Sequence, residues 1–77
     1  MISFSLAKDT NNTQLAIYNI RGQKVKTLVN KSLPNGKHSV IWNGKNESGN
    51  AVVSGVYLYK LIVDGKVNAV RKSILMK

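Results

Sequence analysis

Seventy-seven residues, 43% of them apolar and 19% charged, suffice for one domain with a modest core. With no cysteine, the chain has no disulfide framework and no thiolate metal site, although this does not identify a compartment. Twelve Lys/Arg against three Asp/Glu leave +9, a field that favours anionic partners such as nucleic acid, lipopolysaccharide, anionic lipid or acidic protein. A plainer account of the same charge is solubility, with lysines guarding exposed strand edges. A chain of this size buries only about 60% of its unfolded surface, so stability of a few kcal/mol at most is expected.

The N-terminus, MISFSLAKDT, lacks the basic n-region and long apolar h-region of a signal peptide. Ile2, Phe4 and Leu6 instead alternate with Ser3, Ser5 and Ala7, which predicts a strand over 2–7. A strand beginning almost at Met1 reads as one domain, residues 1–77, excised from a larger secreted protein, with a complete small protein as the alternative. Lys8 to Asn12 is a turn cluster. Residues 13–20, TQLAIYNI, place Leu15 and Ile17 on one face and Ala16, Tyr18 and Ile20 on the other. Both faces are largely apolar, which predicts a central strand. Arg21-Gly22 suits a two-residue hairpin connection. Gln23 to Val29 returns, with Val25, Thr27 and Val29 opposite Lys24, Lys26 and Leu28, the lysines marking a wet face.

Asn30 to Lys37 reads as a loop in which Pro34-Asn35-Gly36 carries turn chemistry. From Val40 to Tyr59 the pattern is strand, long polar turn, strand, a hairpin holding the only Trp and two of the three Tyr. Strands are expected over 38–43 and 55–63. Asp64-Gly65 is a strong two-residue hairpin signal, and Lys66 to Met76 closes the chain as a last strand. No window keeps an i, i+3, i+4, i+7 apolar stripe, and no run of 18 apolar residues could span a membrane. The reading is all-β: a small immunoglobulin-like antiparallel β-sandwich of about six or seven strands, with a small barrel as the alternative.

Enzyme chemistry lacks its parts. His38 is the only histidine and has no cysteine to partner it. Its plain account is a strand-face side chain, since a catalytic base needs an orienting group. Asp9, Glu47 and Asp64 fall in three separate turns, so no pair of carboxyls is held at a fixed separation. The turn Asn43 to Asn50 offers calcium only Glu47, beside Lys45, where such sites want several carboxylates. Single-strand nucleic-acid binders need exposed aromatics, whereas Trp42, Tyr57 and Tyr59 look committed to the interior, so no specific nucleic-acid partner is expected. No catalytic, cofactor-binding or metal residue is assigned. The basic-apolar ending Arg71 to Lys77, RKSILMK, reads either as an edge strand with lysine gatekeepers or as an exposed signal for a receptor.

Three stretches together resemble a known family. LAIYNIRGQKVKTL (15–28), LPNGKHSVIWNGKNESGNAVVSGVYLYKL (33–61) and the ending RKSILMK are similar to the C-terminal sorting domain of type IX secretion substrates. That family is related in fold to the Ig-like domain of flagellar hook-capping proteins. Position by position, Asn19, Gly22 and Gln23 match the first motif, Gly36, Trp42 and Gly44 the second, and Gly49, Ser54, Gly55 and Tyr57 the third. The resemblance implies fold-forming roles for these ten, and a recognition tail of Arg71, Lys72, Ser73, Ile74, Leu75, Met76 and Lys77.

It further implies a non-enzymatic sorting module behind an N-terminal cargo domain. Its partners would be type IX translocon components and a sortase-like peptidase, and its route would run through the periplasm to the cell surface or medium. A structural Ig-like module of a hook-capping or cell-surface assembly is the alternative. The chain departs from the sorting pattern at Asn43 and Asn46, where the family often has acids, which further weakens a metal site. The Asn-Pro-rich segment usual upstream of the first strand is also missing.

Overall fold

The computed structural model describes residues 2–76. Six strands form: β1 (Ile2–Leu6), β2 (Thr13–Tyr18), β3 (Lys24–Lys31), β4 (Gly36–Val40), β5 (Gly55–Val63) and β6 (Lys66–Leu75). They make two antiparallel sheets, a small one of order β1-β4 and a larger one of order β3-β2-β5-β6. Leu15 and Ile17 from β2, Val29 from β3, Tyr57 and Leu61 from β5, and Ile2 from β1 are buried together between the sheets. Phe4, Leu33, Val40 and Trp42 pack against that cluster from the small-sheet side and the crossover.

The two-faced apolar pattern of 13–20 has its expected cause. β2 lies inside its sheet, paired with β3 and β5, and Leu15, Ala16 and Ile17 have no exposed surface. The strand ends earlier than the pattern implied, however, and Ile20 is 76% exposed. The connection is wider than Arg21-Gly22: Asn19 N–H donates to Gln23 O (3.0 Å), and Gly22 N–H to Asn19 O (3.0 Å). Ile20, Arg21 and Gly22 form the loop, with Gly22 at φ 81°, the left-handed position of a three-residue hairpin. Asp64-Gly65 behaves as predicted, with both residues at positive φ (49° and 82°) between the paired Val63 and Lys66, as a type I′ turn requires.

Three further predictions are corrected. The regular alternation across 23–29 fails, because Leu15 pairs with Val29 whereas Ile17 pairs with Lys26. Residues two apart on β2 thus meet residues three apart on β3, a bulge that lets Lys26 become half-buried. Nor is Val40 to Tyr59 a hairpin. β4 pairs with β1, β5 pairs with β2 and β6, and the segment between crosses from one sheet to the other. The strand expected over 38–43 stops at Val40, and Ile41 is 77% exposed. Physically, Asn43 takes the backbone out of the pleat by accepting Lys45 N–H on its own Oδ1 (3.1 Å), while Gly44 sits at φ 75°. A short bridge, Lys45 to Ala51, is all that remains of the expected pairing across this turn.

Candidate functional site

The ten motif residues occupy three structural joints. At the β2–β3 turn, Asn19 Oδ1 accepts the N–H groups of Arg21 (2.9 Å) and Gln23 (3.0 Å). Its Nδ2 donates to Gln23 Oε1 (2.9 Å), so one Asn and one Gln lock the loop around Gly22. Gly36 opens β4 opposite Leu6 at φ 113°, which a side chain would resist.

The third joint is the crossover into β5. Trp42 is half-buried, packs edge-on against Tyr57 with centroids 5.1 Å apart, and donates its indole N–H to Lys45 O (3.0 Å). Gly44 O accepts Val52 N–H (2.9 Å), and Gly49 N–H donates to Asn46 O (3.0 Å). Tyr57, buried at the start of β5, donates its hydroxyl to Val53 O at 2.6 Å, four residues upstream. That is the tyrosine corner of immunoglobulin-like sandwiches, here fixing the Ser54-Gly55 entry to the strand. The hydrogen bonds of these residues run to nearby backbone or turn partners, and Asn19, Ser54, Gly55 and Tyr57 also line one open groove with Ile20, Val53 and Val56.

Sequence reasoning missed what the three acids do. Asp64 Oδ1 accepts the N–H groups of Asn11 (2.8 Å) and Asn12 (2.9 Å), tying the β5–β6 turn to the β1–β2 loop. Asp9 Oδ1 accepts Asn35 N–H (2.8 Å), joining that loop to the β3–β4 connection. Glu47 Oε1 accepts Thr27 N–H (2.7 Å) while Glu47 N–H donates to Val25 O (3.1 Å). Each carboxylate thus clamps a distant segment through backbone amides, a loop for Asp9 and Asp64 and strand β3 for Glu47, by the charge-assisted type of hydrogen bond. His38 is accounted for similarly: it stacks on Phe4 at 5.5 Å between centroids, with Nε2 2.8 Å from Pro34 O. Asn46 Oδ1, in the turn considered for calcium, accepts Ser48 and Asn50 N–H (3.0 Å each). Among the described residues no group of three or more His, Cys, Asp or Glu side chains is placed to hold a metal ion.

The Glu47 contact distinguishes the two margins of the larger sheet. β3 is one edge strand, and the crossover turn is hydrogen-bonded to its outer side at Val25 and Thr27. β6 is the other edge strand. Beyond its pairing with β5, the hydrogen bond it shows among the described residues is Arg71 Nη1 onto its own neighbour's carbonyl, Val70 O (3.1 Å). Arg71 to Leu75 of the tail lie in this open strand, Met76 follows it, and Lys77 lies outside the described residues. The alternating register sets Val67, Val70, Lys72 and Ile74 beside Ile62, Lys60, Leu58 and Val56, opposite to the buried face of Tyr57 and Leu61. Val67 and Ile74 are 60% and 66% exposed, and Arg71 and Lys72 are also exposed. This open, cationic and partly apolar edge is the candidate site.

Comparison with known proteins agrees with the sandwich. No curated protein matches the chain. Among solved structures, the crystal structure of FlgD from P. aeruginosa is similar, with a TM-score of 0.69 and 27% sequence identity. The similarity covers 91% of this chain but 55% of that one, so this chain spans about half the length of its structural relative. The family model of the FlgD Ig-like domain matches residues 1–66, ending where β6 begins. The strand order, the tyrosine corner and that match over most of the chain agree: the protein belongs to the FlgD Ig-like domain family.

Proposed function

We propose that this chain is a non-catalytic assembly module, the Ig-like domain of a flagellar hook-capping or other cell-surface structure, which holds a neighbouring protein through its β6 margin. The observation that carries the reading is the unequal treatment of the two sheet edges. One carries the Glu47 turn at Val25 and Thr27, and the other is the outer side of the ten-residue β6, which has no partner strand among the described residues. Unpaired edges invite pairing with another chain, and proteins that gain nothing from them usually blunt them. Among the described residues the three acids are engaged with backbone amides and the histidine is stacked on Phe4, which supports a non-catalytic role. The test is a graft. This domain replaces the Ig-like domain of a hook-capping protein, and hook completion and swimming are scored. Restored hooks support the module; a stable, expressed chimaera that leaves hooks unfinished counts against it.

A second reading is supported by the sequence of the edge strand itself. Arg71 to Lys77 resemble the recognition tail of type IX sorting domains, and Arg71 to Leu75 of that tail form the end of β6. On this reading the domain follows a cargo domain, is read by translocon components in the periplasm, and is released by a sortase-like peptidase at the surface. A fusion of signal peptide, fluorescent protein, the upstream segment and this domain separates the readings in a type IX host. Surface fluorescence that requires residues 71–77 favours sorting. Periplasmic retention, in a host whose own substrates are exported, removes it.

A further inference from the structure

We infer that β6 recognises an extended acidic peptide, added as a further antiparallel strand, with two adjacent acidic residues flanked by apolar ones. The inference deepens the assembly reading and rests on it. Three observations select this occupant. First, β6 is the longest edge strand, ten residues with no strand or turn against its outer side among the described residues. The β3 edge carries the Glu47 turn at Val25 and Thr27, and the two strands of the small sheet, β1 and β4, have five residues each. Second, the face pattern near the edge is specific. Val70 and Ile74 lie on the outer face with Lys72 between them, while Arg71 pairs with Tyr59 on the opposite face. An added strand therefore meets cations on both of its faces at consecutive positions, with apolar neighbours on either side.

Third, β6 contains Lys66, Arg71 and Lys72 and no acid, within a chain of net charge +9. A second copy of this edge would set like charges against each other, which disfavours β6-to-β6 pairing. An acidic strand gains both from the unpaired backbone and from the surrounding field, which raises encounter rates. The backbone hydrogen bonds supply affinity, and the spacing of acid and apolar side chains supplies choice.

The test uses the whole chain and the probe Ac-TVTEEVTVT-NH2, followed by amide NMR shifts and calorimetry. The expected result is binding, with shifts concentrated on residues 66–76 and the β3 edge unmoved. The lysine counterpart Ac-TVTKKVTVT-NH2 should not bind. An N-methylated probe, unable to pair its backbone, should lose at least roughly tenfold in affinity, since several intermolecular hydrogen bonds are removed together. The double substitution Arg71→Glu with Lys72→Glu should weaken binding by roughly tenfold, from two screened ion pairs. The N-methyl comparison needs no protein variant, so it remains informative whatever those substitutions do to folding. No binding at millimolar probe, equal binding of the N-methylated probe, shifts spread over all lysines, or equal affinity for an all-glutamate peptide would each overturn the inference. A domain that completes hooks or exports cargo but ignores the probe would discard the peptide chemistry and leave the assembly reading standing. One that binds the probe but supports neither process would do the reverse.

Discussion

Replacing Tyr57 with Phe should cost about 1 kcal/mol, the net value of one part-buried hydrogen bond. The hydroxyl donates to Val53 O at 2.6 Å, and Val53 is itself exposed, so water can partly replace the lost donor. That places the cost nearer about 1 than 3 kcal/mol. A domain of 77 residues has only about 3–5 kcal/mol in all. The loss should lower Tm by about 4–8 °C. The ring remains, so the edge-on contact with Trp42 should survive and native Trp fluorescence should be unchanged. Tyr57→Leu removes the hydroxyl and the aromatic pair together and leaves space in the core, for a total of roughly 2–4 kcal/mol. Urea titration followed by Trp42 emission measures both variants. A Tyr57→Phe protein within about 0.3 kcal/mol of the parent, below the usual range for such a bond, would refute the corner as a stabilising joint. Equal losses for Phe and Leu would refute the share assigned to the ring.

The other clamps give sharper local readouts. Asp64→Asn should change stability by less than about 1 kcal/mol, because Asn retains an acceptor and tolerates the left-handed turn position. Asp64→Ala should cost roughly 1–2 kcal/mol and speed amide exchange at Asn11 and Asn12, whose N–H groups it abandons. Glu47→Ala should cost about 1 kcal/mol, discounted for exposure, and expose the Thr27 amide to rapid exchange; unchanged Thr27 protection would deny that the turn closes the β3 edge. Gly22→Ala should cost roughly 1–2 kcal/mol through backbone strain alone, since φ is +81° and a Cβ would meet nothing within 4 Å. A much larger loss in thermal or urea unfolding would point to packing that this geometry does not contain.

Local chemistry was legible in the sequence wherever a residue carries its own conformational instruction. Asp64-Gly65 and the apolar 13–18 segment could be read because positive φ and two-sided burial leave marks on the residues concerned. The pairing of strands was harder. Val40 and Val56 both look like strand residues beside one long turn, and nothing in either says that they belong to different sheets. The bulge in β3 was hidden for a related reason: it is a mismatch between two strands, invisible in the alternation of one. The acids were illegible because their partners are backbone N–H groups, which almost any residue at positions 11, 12, 27 or 35 would supply. Of the candidate site, the basic-apolar tail was visible in sequence, but its standing as the open edge depended on knowing that the opposite edge is occupied.

The place of β2 has a consequence for how the chain comes off the ribosome. Its hairpin partner β3 follows at once, but its other neighbour, β5, arrives only after β4 and the whole crossover have been made. Until then Leu15, Ala16 and Ile17, fully covered in the finished sandwich, border an unpaired flank. Pairings so distant in sequence make folding slow, in the millisecond-to-second range typical of β-sandwiches. The nascent hairpin is therefore sticky until Gly55–Val63 has emerged and paired with β2. A delay that withholds Gly55–Val63 after β2 and β3 have emerged should lengthen that interval and raise aggregation, whereas the same delay once Val63 has emerged should have little effect.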